Sequence, residues 1–138
     1  MRNAKLLAVF ATLFLFGTFA AGAARQQDKA EEPTAAVIHM TTDRRFVPQD
    51  INISVGDTVE WVADDPYAAH TVTDDPDALD QPGRVQLPKG AKPFNSGTLT
   101  PGSHWKHRFT VPGVYQYACI PHSSMTGRIV VRASSASK

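Results

Sequence analysis

The chain has 138 residues, with 14 Lys+Arg against 13 Asp+Glu, five His and a single Cys. One Cys excludes an internal disulfide, a dithiol redox pair and any four-Cys metal cage. A net charge of +1 without a sustained Lys/Arg cluster argues against nucleic acid as a partner, and the length excludes a large multidomain enzyme.

Met1-Arg2-Asn3-Ala4-Lys5 precedes an uncharged run from Leu6 to Ala24. Positive charge, then an apolar run, then small residues is the order of a secretory leader, and Ala21-Gly22-Ala23 offers the small–x–small cleavage pattern. A signal peptide is therefore expected over residues 1–23. The competing reading is an uncleaved anchor, because the run approaches the length of a spanning helix. Gly17, Gly22 and the alanines favour cleavage, which would leave the mature protein in the periplasm without stable membrane insertion. Residues 24–34 are polar and aperiodic, so a flexible lead is expected there. A single domain is expected over 35–132, enough for one core, and a disordered tail over 133–138.

Within that domain the pattern is β. Val37 to Met40 reads as a strand, and Ile51, Ile53 and Val55 alternate with Asn52 and Ser54. Gly56-Asp57 supplies a turn, after which Val59 and Trp61 alternate with Thr58 and Glu60. Further strands are predicted over 69–73, 94–99, 104–109, 114–118 and 126–131, separated by Pro and Gly punctuation. Residues 74–93 are Pro-rich and aperiodic, which predicts a long connection with room for one helical turn. About eight short strands at this spacing predict an all-β Greek-key sandwich or barrel.

The stretch from Tyr115 to Gly127 concentrates the chemistry. A strand ends at Cys119, His122 follows three residues on, Met125 three further, and another strand begins. One short loop thus delivers a thiolate, an imidazole and a thioether, a soft set that suits copper in both oxidation states. A second imidazole is needed, and His70 in Ala69-His70-Thr71-Val72 stands beside a strand that could adjoin the loop. Singly, Cys119 could be a core residue, His122 a surface histidine and Met125 a gap-filler. Their order between two strands, in a chain with an export leader, favours ligands.

Cys119-x-x-His122-x-x-Met125 resembles the copper loop of the small blue copper proteins, the cupredoxins, with the His–Met gap of amicyanin. Gly56 to Trp61, His70-Thr71-Val72, Pro112 to Tyr117 and Gly127 to Val131 extend the likeness over roughly residues 36–132. The resemblance implies an eight-stranded Greek-key sandwich holding one copper ion in a type 1 site. His70, Cys119 and His122 would be the strong ligands and Met125 the long axial one. It implies a monomeric electron carrier, not an enzyme, that docks transiently on redox proteins such as a cytochrome, dehydrogenase or oxidase. A copper-sequestering or delivery protein is the alternative. Two departures stand out: Thr71 occupies the place where plastocyanin and amicyanin usually carry a bracing Asn, and the 74–94 connection is longer than amicyanin's.

The remaining histidines stand outside this set. His104 and His107 lie three apart on a predicted strand and so face opposite sides, with solvent or turn-edge positions expected; His39 and Met40 likewise diverge. Asp64, Asp65, Asp74, Asp75, Asp77 and Asp80 crowd both sides of His70. They read equally as an acidic docking face for a basic partner and as ordinary loop solvation.

Overall fold

A computed structural model describes residues 33–134; the expected leader, most of the lead and the end of the tail lie outside them. The fold is a Greek-key β-sandwich of two sheets. One sheet has the order β2-β1-β4-β5, from β1 (Thr34–Met40), β2 (Phe46–Val47), β4 (Thr58–Ala63) and β5 (His104–Arg108). The other has the order β3-β7-β6, from β3 (Asp50–Ser54), β6 (Gly113–Ala118) and β7 (Thr126–Arg132). Parallel pairs β1–β4 and β3–β7 alternate with antiparallel pairs β4–β5 and β6–β7. Among the described residues no helix is long and apolar enough to cross a membrane.

The two-residue period of each strand sends one set of side chains into the space between the sheets. Ile38, Met40, Val59, Trp61 and Ala63 enter from one side; Ile53, Tyr115, Tyr117, Ile129 and Val131 meet them from the other. Trp61 is the centre of this layer, with Tyr117 edge-on at 5.5 Å and Trp105 at 5.2 Å between ring centroids. Each such buried side chain is worth roughly 1.5–3 kcal/mol of transfer free energy. The aromatic layer therefore supplies a stiff floor beneath the loop that joins β6 to β7.

Two predicted strands differ from expectation. Residues 69–73 and 94–99 are extended but joined only by isolated bridges, His70 to Leu99 and Thr73 to Asn95, with Thr73 also bridged to Ala118. The reason is where the backbone donors go. Thr71 N–H points to the Cys119 sulfur at 3.3 Å, and Val72 N–H donates to the Ser96 hydroxyl at 2.8 Å. With both diverted to side chains, a continuous ladder cannot form. β2 escaped prediction because two residues carry no periodic signal. The 74–93 connection holds two 3₁₀ turns where one turn was expected, Pro76–Ala78 and Pro82–Arg84.

Gly127 in β7 lies against the Tyr117 ring, and a Cβ there would stand 2.3 Å from both Tyr117 Cζ and Oη. Tyr117 is wedged between Phe46 and Trp61 and has no room to retreat. Gly127→Ala is expected to lower stability by about 3 kcal/mol, the upper range for overpacking. Gly83→Ala, with nothing within 4 Å, serves as a near-neutral control in the same urea titration.

Candidate metal centre

β6 carries the chain to Cys119, and the loop from 119 to 125 closes on itself before β7 starts. Cys119 N–H donates to Met125 O at 3.0 Å and Met125 N–H to His122 O at 2.9 Å. The segment bearing His70 is docked on the end of β6 by the reciprocal Thr73–Ala118 pair, at 3.0 and 2.8 Å. On its other side His70 and Leu99 exchange backbone bonds at 3.0 and 2.8 Å. These two bridges fix His70 opposite Cys119, although 49 residues separate them in sequence.

Three donor atoms converge. His70 Nδ1 lies 3.2 Å from His122 Nδ1 and 3.8 Å from Cys119 Sγ, and His122 Nδ1 lies 3.4 Å from the same sulfur. A point equidistant from these three atoms is about 2.0 Å from each, the bonding range of imidazole nitrogen to a first-row divalent metal. No other group of three His, Cys, Asp or Glu residues among those described converges in this way. Met125 ends the same loop, its side chain buried in the core cluster that also holds Cys119.

The surroundings orient each donor. Asp65 Oδ2 lies 3.2 Å from His70 Nε2, so His70 gives its Nε2 hydrogen outward and leaves the Nδ1 lone pair facing the centre. Asp65 is itself held by the Tyr67 N–H on Oδ1 at 2.9 Å. That backbone donor first, and His70 after it, keeps the carboxyl below its ordinary range. Partial burial, then the neighbouring His70, holds His122 below the usual histidine value, favouring the neutral ring with a free lone pair. Burial pushes the Cys119 thiol up, opposed by the Thr71 N–H and hydroxyl.

Thr71 settles the first departure from the cupredoxin pattern. Its hydroxyl accepts the Ile120 N–H at 2.7 Å while its own N–H faces the Cys119 sulfur. A shorter side chain thus ties the two ligand-bearing segments together. The long connection, the second departure, sends Arg84 back to the loop carbonyls. Neither Arg84 nor Asp65 was singled out for the site from sequence, since their partners are fixed only by the fold.

The donors fit copper: a buried cysteine sulfur with two imidazole nitrogens in a trigonal array, and a thioether in the same loop, form the soft set that copper prefers. A family model described as copper binding proteins, plastocyanin/azurin family, matches residues 34–132. The chain belongs to this family. It is a small cupredoxin whose cofactor is copper. Amicyanin-alpha of Methylorubrum extorquens is 27% identical over 131 residues, covering 92% of this cupredoxin and 98% of that protein. Among solved structures, a purple cupredoxin from Nitrosopumilus maritimus aligns with a TM-score of 0.53 at 26% identity, over 70% of this chain and 99% of its own. A Cu-containing nitrite reductase from Thermus scotoductus SA-01 aligns with a TM-score of 0.59 at 30% identity. That match covers 77% of the cupredoxin but only 24% of the reductase chain.

The other histidines stay apart from the cluster. His39 pairs with Asp64 and His104 with Glu60. His107 departs from the expected solvent or turn-edge position: it packs against Phe94, Trp105 and Phe109, and burial holds it below the usual histidine value. The six aspartates do not form one acidic face. Asp65 and Asp74 are buried, and Asp75 caps the first 3₁₀ turn. Asp74 turns inward because its Oδ1 takes the Phe94 N–H at 2.7 Å, closing the base of the long connection.

Asp74 Oδ2 is buried without a partner, and burial raises this carboxyl from 3.8 to about 6. A raised native value means the folded protein binds the proton more tightly than the unfolded chain. Its stabilising contribution is complete below pH 4 and is lost as pH rises through about 6. Asp74→Asn, which cannot ionise, is expected to match the parent near pH 4 and exceed it by about 2 kcal/mol above pH 7. Urea unfolding of both proteins across that range checks the sign.

Proposed function

We propose that this cupredoxin is an exported, periplasmic electron carrier in which His70, Cys119 and His122, with the Met125 thioether, would hold one copper ion. The observation that carries the reading is the convergence of two Nδ1 atoms and one sulfur, 3.2 to 3.8 Å apart, in a site braced from behind by Asp65 and Thr71. Bound copper supplies a one-electron couple, Cu(II)/Cu(I). The protein supplies everything else. To hold the metal, Cys119 would give up its thiol proton, a loss that its burial opposes, so metal uptake would be coupled to proton release. Asp65 keeps the His70 ring from turning, and the two bridges flanking His70 keep its distance to the loop constant. A site that does not rearrange between oxidation states costs little to reorganise, which favours fast transfer over chemistry on a substrate.

The geometry also supports a route for the electron. His122 is partly exposed, and beside it Ile120 is 41% exposed and Pro121 lies at the surface. An apolar rim around an accessible ligand ring suits brief contact with a redox protein through a small interface. The expected leader supports export. Residues 35–132 constitute the copper domain in this reading, and one copy holds every ligand, which supports a monomer.

Adding copper(II) to the purified apoprotein should produce an intense visible thiolate-to-copper band, which Cys119→Ser should abolish. Absence of the band in the parent, or its survival in Cys119→Ser, would contradict the ligand assignment. Rapid electron self-exchange in the loaded protein is the outcome expected of a carrier. Net copper loss to a metal acceptor on a faster timescale would instead assign it to copper delivery.

A further inference from the structure

The long connection between His70 and β5 reaches back to the ligand loop at one point. Arg84 ends the 3₁₀ turn Pro82–Arg84, its own N–H bonded to Gln81 O at 3.2 Å. Two residues later Gln86 forms a reciprocal bridge with Gln116, at 3.0 and 2.8 Å. Gln116 stands on β6, three residues before Cys119, so Arg84 is registered against the same strand that presents the thiol. From there its Nη2 lies 3.0 Å from His122 O, 3.2 Å from Cys119 O and 3.5 Å from Met125 O. The three acceptors belong to the three loop residues that carry donor side chains.

We propose that Arg84 is a positioning residue of the copper centre, fastening the ligand loop through the carbonyls of Cys119, His122 and Met125 and holding a positive charge against that loop. The inference rests on the ligand assignment above and adds to it a device carried by the connection. Met125 O and His122 O already accept one loop N–H each, and the guanidinium uses their second lone pairs. Charge-assisted bonds of this kind are stronger than neutral ones. Arg84 Nε is buried, which places part of the charge away from water, where its field is less screened. One-electron reduction lowers the charge of the centre by one, so a fixed cation nearby favours the reduced state. A strap that only covered the sheet edge would have no such effect.

The test uses full-length protein in two variants, Arg84→Gln and Arg84→Lys, with and without copper. In the apoprotein, amide hydrogen exchange at Cys119, Ile120 and Met125 should accelerate at least about tenfold in Arg84→Gln, the loss expected for one charge-assisted bond. Exchange at Trp61, deep in the other sheet, should not change. In the loaded protein the reduction potential should fall in Arg84→Gln and recover in Arg84→Lys, which keeps the charge. Unchanged loop exchange in Arg84→Gln would overturn the fastening role; a potential that Arg84→Lys leaves as low as Arg84→Gln would overturn the field. Should Arg84→Gln not fold, Arg84→Lys is read alone. Faster loop exchange with a retained potential then supports the proposal, and a lowered potential or parental exchange overturns it. The apoprotein comparison needs no metal, so it stands even if Cys119→Ser shows the ligand assignment to be wrong.

Discussion

The metal end of this molecule depends on one junction: the extended segment bearing His70 is hydrogen-bonded to the end of the strand bearing Cys119. The Thr73–Ala118 pair sets the register, and Thr71 completes it by facing the sulfur with its N–H and taking the Ile120 N–H on its hydroxyl. Slide that segment by one residue and His70 would turn to the opposite face, since side chains alternate along extended backbone. The donor triangle would then not exist. The sandwich below makes such a slip costly, because Val72 and Phe94 are embedded in the same core as Trp61 and Tyr117.

The site is thus preorganised by layers. The aromatic floor fixes the sheets, the two bridges fix the His70 segment, and Asp65 and Thr71 fix individual donor atoms. The long connection adds a further tether from the outside, anchored at Asp74 with Phe94 and at Gln86 with Gln116. Each layer removes freedom that a metal would otherwise have to remove on binding. Rigidity of this kind suits electron transfer, which costs least when little rearranges between oxidation states.

The parts legible in the sequence were those whose signal is local. Alternation exposed β3 and β4, and the Gly56-Asp57 turn between them, because a half-buried strand writes its two faces into adjacent residues. Cys119, His122 and Met125 were legible because one loop carries all three. His70 could be named as the imidazole that the set still needed, from the strand beside it and from the resemblance of His70-Thr71-Val72 to the cupredoxin pattern. Residues 69–73 and 94–99 looked like strands by composition, yet the Thr71 and Val72 N–H groups go to Cys119 and Ser96, side chains 48 and 24 residues away. The contacts of Arg84 and Asp74 were hidden for the same reason: nothing near them in sequence marks the carbonyls and amide they meet in the fold. Thr71 looked like a loss relative to the cupredoxin pattern, and only the 2.7 Å contact from Ile120 N–H shows that its hydroxyl bridges the two segments.

The central claim is that a thiolate and two imidazoles from these two segments bind one copper ion. X-ray absorption at the copper edge of the loaded protein tests it most directly. The account predicts a short copper–sulfur shell together with two imidazole nitrogens, one of which disappears in His70→Ala. A spectrum fitted by nitrogen and oxygen alone, unchanged by that substitution, would contradict it.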